Sequence, residues 1–339
     1  HFTGGWRKVC GGWRAYLGCA VLGGGYVFYV RGSAAHALFE APVRPLAAQL
    51  WTQAKAHVYY LQLVSVPVRL NVEHQFDVSR TAEPVALVAI LLLLSLGGTA
   101  WALRRQLRWM ALAAGWWGLT LLPTTLVPLI VLVNEHRLYL ASLGVILPLA
   151  VCIGRLGRGR LGGRVPMATC ALALYTIGLA MLTMQRARVW ESELTLWADA
   201  AAKSPQMLRP HLRLADALVL GEEYEAAEAA YLRAIALRPS HPASRNNLGL
   251  FYRNRGRLDE AQSQFGTLLA VSPDNVPARL NLAEIELQHG RWEAADTHYD
   301  SALIYDHTKG RAQVRRGQIE LRFRGDAGVA LEHFDAGIA

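Results

Sequence analysis

The second half of the chain repeats at an interval of 34 residues. Prolines keep this interval at Pro205, Pro239 and Pro273. Small and aromatic residues keep it too, namely Ala227, Ala261 and Ala295, and Tyr231, Phe265 and Tyr299. A pair of antiparallel helices has this length and needs a small residue where the two helices cross. Because one pair cannot bury its apolar face alone, the copies are predicted to stack into an α-solenoid.

The middle copy, Pro242 to Asn275, shows the pattern most fully. Its characteristic residues are Leu248, Gly249, Tyr252, Gly256, Ala261, Phe265 and Pro273. Three copies in register resemble the tetratricopeptide repeat. The third copy has His307 at the proline position. A fourth begins near Gly310 with its small and aromatic residues, Ala330 and Phe334, displaced by one position.

The repeats are predicted to begin directly after the apolar half of the chain. VWESELTLWADAAAKSP fits the second helix of a repeat, with Trp197, Ala200 and Pro205 at the aromatic, small and proline positions. We therefore assign residues 189–339 to a tetratricopeptide-repeat domain. Stacked helix pairs expose a concave face, which predicts a protein or peptide partner there. The alternative is that the repeats only stabilise or orient the rest of the chain.

The first half is too apolar for an ordinary soluble enzyme. Hydrophobic residues make up 53% of the chain and charged residues 18%, and the long uncharged runs lie before residue 185. A bilayer core about 30 Å thick needs roughly 20 helical residues. Five runs approach this length: residues 14–30, 85–103, 109–133, 138–154 and 165–184. The sequence thus predicts an all-α protein with a transmembrane bundle of about five spans over residues 1–188.

The basic residues of this half predict its orientation. The net charge is +9, and three basic clusters flank the apolar runs: Arg7, Lys8 and Arg14; Arg104, Arg105 and Arg108; Arg155, Arg158, Arg160 and Arg164. All three fall on the cytoplasmic side if the spans alternate, which places the repeats outside. We expect membrane lipid around the spans and a bacterial inner membrane with the repeats in the periplasm. No nucleic-acid partner is expected, because no aromatic-interleaved basic module accompanies the charge.

Polar residues interrupt the apolar half on the predicted outer side. Residues 31–84 contain LAAQLWTQAKAHVYYLQLVSVPVRL, which is too polar for a span. It is interpreted as a helix that lies at the membrane interface or packs against the bundle. This helix leads to Glu73, His74 and Asp77, which either line an outer cavity or form a plain polar loop. No metal site is predicted, because further ligands with a definite spacing are missing.

A second polar interruption is VNEHRLYLASLG, which starts at Val133. Pro123 and Pro128 precede it, so the helix before it should be kinked or broken, with Thr124 and Thr125 available to satisfy the freed backbone groups.

Three stretches share a pattern with a known family: QAKAHVYYLQLVSVPVRLNVEHQFDVS, LLPTTLVPLIVLVNEHRLYLASLG and RARVWESELTLWADAAAKSP. They resemble the transmembrane and tetratricopeptide-repeat protein O-mannosyltransferases and their bacterial relatives, in the GT-C glycosyltransferase superfamily. The second stretch is the most specific, with matches at Glu135, Arg137, Leu138, Tyr139, Leu140, Ser142, Leu143 and Gly144. Ala141 departs from the pattern, since the family usually has proline there.

The resemblance implies transfer of a sugar, with inversion, from a polyprenyl phosphate to an acceptor on the outer side. No other cofactor is expected. The family's catalytic acid lies in a first outer loop, which would precede residue 1. We therefore expect a longer parent protein, assign no catalytic residue within this chain, and leave open whether the chain is itself an enzyme.

The candidate donor-phosphate site is the NEHR cluster. Arg137 is the first choice for the phosphate, because a planar guanidinium makes paired hydrogen bonds to oxyanions. Glu135 is expected to orient Arg137, and His136 to donate to the phosphate or transfer a proton. Tyr139 would hold the acceptor or the lipid headgroup. Glu73, His74 and Asp77 would line the same outer cavity.

Two alternatives stay open. The NEHR cluster also fits a solvated turn between two spans, with Glu135 and Arg137 at the level of the headgroups. The whole chain also fits a non-catalytic membrane scaffold or accessory subunit, whose repeats bind a partner protein in a larger complex.

Overall fold

The computed structural model describes residues 44–128, 131–156, 167–305 and 309–338, and the regular elements within these ranges are all helices. The prediction of an all-α protein is confirmed. The chain divides into two compact units, His1–Ala187 and Arg188–Ala339. The first predicted span, residues 14–30, lies outside the described residues.

Six helices are described in the first half of the chain, within residues 44–128, 131–156 and 167–189. They are α1 (Leu46–Ser65), α2 (Pro84–Ala102), α3 (Arg108–Leu126), α4 (Leu138–Ala141), α5 (Leu143–Leu156) and α6 (Met167–Val189). Among the described residues, α2 is the one helix that is long and apolar enough to cross a membrane. The five-span bundle therefore stays a prediction.

Two predicted spans differ from the helices that form. The run 109–133 becomes α3, which contains Pro123 and ends at Leu126. The reason is Pro128, which disfavours the helical conformation of the residue before it, and Val127 is extended. The run 138–154 is divided at Ser142 into α4 and α5.

The polar face of α1 holds the end of α3. Gln49 is fully buried, and its Nε2 donates to the carbonyl oxygens of Thr124 (2.8 Å) and Val127 (3.2 Å). Thr124 and Thr125 both donate their hydroxyls to the carbonyl of Leu121, in the last turns of α3. A polar α1 is therefore useful inside this unit, because it satisfies carbonyls that the end of α3 leaves without a helical partner.

The second half contains the repeats. Its helices are α7 (Glu193–Lys203), α8 (Leu208–Leu220), α9 (Tyr224–Leu237), α10 (Pro242–Asn254), α11 (Leu258–Val271), α12 (Val276–Gln288), α13 (Trp292–Leu303), α14 (Lys309–Ile319) and α15 (Ala327–Ile338). The first helices of the four pairs are α8, α10, α12 and α14, and the second helices are α9, α11, α13 and α15. The predicted α-solenoid is confirmed for these described residues.

Each pair closes around the small and aromatic residues that set the 34-residue interval. The Phe265 ring is fully buried on α11, and a Cβ atom added to Gly249 of α10 would lie 2.7 Å from it. The ring therefore occupies the space that a side chain at Gly249 would need. Ala261 on the same helix is also fully buried.

A residue in the left-handed backbone conformation follows the first helix of each described repeat. Gly256, Gly290 and Gly325 have φ values of 74°, 76° and 73°. In the first repeat the same turn position holds Glu222, with a φ of 61°. A residue with a Cβ atom is strained in this conformation, whereas glycine is not.

We expect Glu222→Gly to stabilise the repeats. Relief of the left-handed strain, partly offset by the greater freedom of glycine in the unfolded chain, should raise the free energy of unfolding by about 0.5–1 kcal/mol. Chemical denaturation of the two proteins measures the difference. The matched control is Gly290→Ala, which should destabilise by about 1 kcal/mol. Equal stability of wild type and both variants would contradict this account of the turn.

The displaced fourth repeat has a local cause. Residues Glu320–Arg324 form a π-helix between α14 and α15, before the left-handed Gly325. A π-turn accommodates one extra residue within a helix, which accounts for the shift of Ala330 and Phe334 by one position. The pairing of small and aromatic residues survives, since a Cβ atom on Gly317 would lie 2.7 Å from the Phe334 ring.

Adjacent repeats are also joined by a polar cluster. Glu228 of α9 accepts hydrogen bonds from the Tyr252 hydroxyl (2.7 Å) and from Arg257 Nη1 (2.6 Å). The hydrogen bond from Arg257, with that from Tyr252, holds the pKa of Glu228 below its ordinary value. Burial and the bond to Glu228 raise the pKa of Tyr252 to about 12.

This cluster predicts a loss of stability in acid. Because the folded-state pKa of Glu228 is depressed, its contribution is complete above the unfolded-state pKa and disappears as the pH falls through the folded-state value. The melting temperature of Glu228→Gln should therefore lie below wild type at pH 7 by about 1–3 °C, since the pair is partly exposed. At a pH of about 3 the difference should shrink. A constant difference at both pH values would contradict the assignment.

Candidate functional site

The structure brings His74 and Glu135 into contact. His74 Nε2 lies 3.1 Å from Glu135 Oε1, and the same oxygen accepts from the backbone N–H of Asn71 at 2.5 Å. The His74 side chain is 2% exposed and that of Glu135 is 21% exposed. Both residues were predicted to line one outer cavity, and their direct contact joins positions that are 61 residues apart in the sequence.

Tyr59 extends this pair into a chain of three side chains. Its hydroxyl lies 2.9 Å from His74 Nδ1, and the two rings meet edge to face at a centroid distance of 5.3 Å. A carboxylate oxygen only accepts, so His74 Nε2–H donates to Glu135, while Nδ1 on the other side of the ring contacts the Tyr59 hydroxyl. Burial, reinforced by the charge of Glu135, raises the pKa of Tyr59. The order Tyr59, His74, Glu135 is suited to the passage or storage of a proton.

Arg137 lies in the same short turn as Glu135 but is held differently from our expectation. Its Nη1 donates to the carbonyl of Leu132 (3.1 Å) and its Nη2 to the carbonyl of Val131 (2.9 Å). The carboxylate of Glu135 accepts from the ring of His74 rather than from Arg137. Residues 135–137 form a 3₁₀ turn, in which side chains two positions apart point in different directions. Glu135 therefore orients His74 and does not orient Arg137.

The turn is fixed at its N-terminal end by Asn134. The Asn134 side chain caps it by accepting from the backbone N–H of His136 at 2.9 Å. The backbone N–H of Asn134 in turn donates to the hydroxyl of Tyr60, which is buried on α1. These contacts hold Glu135 against the segment 71–74.

The remaining predicted site residues lie in different surroundings. His136 is exposed and stacks on Tyr139, which is 76% exposed, at a ring distance of 6.0 Å. Asp77 is exposed, and its backbone carbonyl accepts from Lys55. Glu73 is buried, and its backbone carbonyl accepts from the side chain of Asn71. Across the described residues, no group of three or more His, Cys, Asp or Glu is arranged to hold a metal ion.

A second, partly buried histidine has a packing role that the sequence did not predict. His57 Nδ1 accepts from the indole N–H of Trp117 (3.1 Å), and its Nε2 lies 2.9 Å from the Thr125 hydroxyl. Burial lowers the pKa of His57, and an indole only donates, so the ring is neutral with its proton on Nε2. It joins α1 to α3 and thereby supports the segment that carries Asn134 and Glu135.

The repeats offer a second candidate surface, which we call the inner face. Polar side chains link neighbouring first helices directly: Asn247 to Asp216 (3.5 Å), Arg253 to Asn281 (2.6 Å) and Arg315 to Glu284 (2.9 Å). First helices are therefore close together, as expected on the concave side of a solenoid. The inner face consists of these six residues with Arg213 and Arg311, which lie 3.8 Å from Asp216 and 3.6 Å from Glu284.

Comparisons with known proteins identify the kind of repeat in the second half of the chain. Family models of the tetratricopeptide repeat match residues 194–242, 230–263 and 252–316. Residues 194–316 are tetratricopeptide repeats. The 34-residue interval predicted them correctly, and a protein partner is the function that such repeats support. A comparison with curated proteins gave no match, and the resemblance to O-mannosyltransferases stays a prediction.

Several solved structures are similar to the repeat half. MamA from Desulfovibrio magneticus RS-1 is 19% identical with a TM-score of 0.39, and the alignment covers 48% of this chain and 92% of that one. PilF from Pseudomonas aeruginosa is also 19% identical, with a TM-score of 0.40 and coverage of 48% and 73%.

Proposed function

We propose that this chain is a membrane glycosyltransferase-like protein. It would transfer a sugar from a polyprenyl phosphate to a protein acceptor that the tetratricopeptide repeats recruit. The observation that carries the proposal is the partly buried chain Tyr59–His74–Glu135, with the buried His74 at its centre and Arg137 in the same turn as Glu135. Buried ionisable groups are costly, and they occur most often where a protein needs their chemistry.

Exposed apolar surface supports the attachment to a membrane. On α2, the side chains of Val85, Val88, Leu91 and Leu94 are each about two-thirds exposed. Such faces also occur on α3 and α6, with Leu112, Leu119, Leu174, Met181 and Met184. Surfaces of this kind are unfavourable in water and favourable against lipid tails. We infer an inner-membrane protein with its repeats in the periplasm.

Within this proposal the residues have distinct roles. Arg137 holds the donor phosphate, because a guanidinium with two donors engaged by carbonyls still has three further N–H groups for an anion. His74, held by Glu135, moves a proton to or from Tyr59. His136 and Tyr139 form an exposed stacked pair, which is suited to contact a headgroup or an acceptor.

Consumption of a labelled donor tests the proposal. The natural full-length protein, reconstituted in liposomes, would be given radiolabelled mannose, glucose or N-acetylglucosamine on polyprenyl phosphate. We expect one of these donors to lose its sugar to protein or water. Replacement of His74 by glutamine should reduce that rate, because glutamine keeps the polarity of the side chain but does not transfer a proton. If none of the donors reacts, the sugar-transfer proposal is contradicted.

A non-catalytic scaffold is the second candidate function. The observation that favours it is Arg137 itself, which already donates to two carbonyls of its own segment and so has a structural role. The scaffold predicts partner binding at the repeats with no consumption of any lipid-linked sugar. Retention of partner binding by Arg137→Lys fits both functions, whereas a lower rate of sugar transfer in that variant fits only the first.

A further inference from the structure

Charge is divided unequally between the two layers of the repeat half. Across the four described pairs, the first helices carry eight arginines and three carboxylates: Arg209, Arg213, Arg245, Arg253, Arg279, Arg311, Arg315 and Arg316; Asp216, Glu284 and Glu286. The second helices carry nine carboxylates and one arginine: Glu225, Glu228, Asp259, Glu260, Glu293, Asp296, Asp300, Glu332 and Asp335; Arg233.

Ion pairs between the two layers explain only part of this division. Some arginines of the first helices do pair with the second layer, as Arg316 does with Asp296 and Asp300. Others bond to neutral oxygens. Arg245 and Arg279 donate to the carbonyls of Pro239 and Pro273, six residues earlier in each repeat. These bonds therefore do not neutralise the positive charge of Arg245 and Arg279.

The inner face keeps an excess of positive charge at its centre. Arg253 donates to the amide oxygen of Asn281, and the side chain of Asn247 lies on the same first helix. The helix α10, which carries both residues, has no acidic residue. Towards the two ends, Asp216 lies beside Arg213, while Glu284 is shared between Arg311 and Arg315. Four arginines thus face two carboxylates along this surface.

Arginine is well suited to a carboxylate ligand at this place. A guanidinium with one N–H engaged by an amide has others for a planar bidentate contact with a carboxylate. The side chains of Arg213, Arg311 and Arg315 are 53%, 55% and 39% exposed, so an approaching segment can reach them. The acidic second helices would repel the same segment from the outer layer.

We propose that the inner face binds an extended acidic segment of a partner protein, with a carboxylate of that segment at Arg253. This inference rests on the proposed docking of a partner at the repeats and adds the chemistry of that partner. Complementary charge would mainly accelerate encounter and select the partner, while the amides of Asn247 and Asn281 border the central contact.

Binding of matched labelled peptides tests the inference. The full chain in nanodiscs of zwitterionic lipid would be titrated into three fluorescent peptides of equal length, with glutamate, glutamine or lysine at alternate positions. Fluorescence anisotropy should give at least about tenfold tighter binding for the glutamate peptide. That advantage should shrink when the salt concentration rises from about 0.05 M to about 0.5 M.

Two variants locate the contact. Arg253→Gln should weaken the glutamate peptide about threefold to tenfold, whereas Arg233→Gln, on a second helix, should leave its affinity unchanged. The melting temperature of both variants reports whether the repeats stay folded. An unchanged affinity in a folded Arg253→Gln protein would overturn the assignment.

The remaining outcomes separate this inference from the proposed docking. In one outcome, the glutamine or lysine peptide binds as tightly as the glutamate peptide, with an affinity that inner-face variants reduce. That result would overturn the acidic partner and leave the docking proposal intact. Binding of a single-stranded oligonucleotide as tightly as the glutamate peptide would assign the surface to nucleic acid and overturn the inference. No binding of any peptide would contradict both. Donor consumption is measured independently, so none of these results decides the sugar-transfer activity.

Discussion

Replacing Arg137 by alanine is expected to reduce sugar transfer from a polyprenyl phosphate by at least about 100-fold. The guanidinium is the group that we assign to the donor phosphate, and removal of a preorganised donor to a developing oxyanion typically has an effect of this size. Transfer would be measured with the radiolabelled donor that the wild-type protein consumes. Membrane insertion should be unaffected, because Arg137 lies in a turn outside the described apolar helices.

A conservative variant separates binding from folding at this position. Arg137→Lys keeps the charge but loses the planar fork, so we expect partial transfer together with a lower apparent affinity for the donor. The exposed Arg80, replaced by alanine, is the control for a general loss of positive charge. Full transfer by a correctly inserted Arg137→Ala protein would remove this residue from the donor site.

The largest effect on stability is expected at Phe265. This ring is fully buried between α10 and α11, against Gly249, and belongs to the largest apolar cluster of the repeats. Phe265→Ala removes most of a buried side chain and leaves a cavity, which typically costs about 3–5 kcal/mol. Chemical denaturation, followed by circular dichroism of the helices, measures the loss.

A leucine on the neighbouring repeat supplies the control. Leu232 of α9 is 47% exposed, so Leu232→Ala should cost about 0.5 kcal/mol or less. A loss of under about 1 kcal/mol for Phe265→Ala would mean that the ring does not have the central packing role described above. Because neighbouring repeats share this core, the effect should extend beyond the second repeat.

The repeat half was predictable because its sequence interval follows directly from its packing. Each pair of helices needs a small residue and an aromatic ring at the same two places, so Ala261 and Phe265 recur in register with their counterparts. The fourth repeat departs by one residue, and only the structure identifies the π-helix that absorbs it. In the sequence, no residue type marks a π-helical turn as different from an α-helix.

The apolar half was less predictable. An uncharged run predicts apolar surroundings but does not fix where a helix ends, and α3 ends at Leu126 because of Pro128. The role of Gln49 was also missed, since nothing in the sequence links this amide to carbonyls 75 and 78 residues away.

The candidate site shows the same limit of sequence patterns. His74 and Glu135 were both selected, because isolated polar groups between apolar runs are visible in the sequence. Tyr59 and Asn71 were not selected, although both contact that pair. Their roles depend on contacts across 15 and 64 residues, which one sequence does not reveal. The one available signal was the position of Tyr59 on a helix too polar to span a membrane.

Cross-linking of a lipid-linked donor tests the central claim most directly. A polyprenyl phosphate with a photoreactive group in its first isoprene unit would be added to the full-length protein in liposomes and irradiated, and the modified peptides would be mapped by mass spectrometry. We predict modification of the segments around residues 70–78 and 131–142, which carry His74, Glu135 and Arg137, and loss of this labelling in Arg137→Ala. Labelling confined to the lipid-facing surfaces of α2 and α6, unchanged in that variant, would contradict a donor site at this turn.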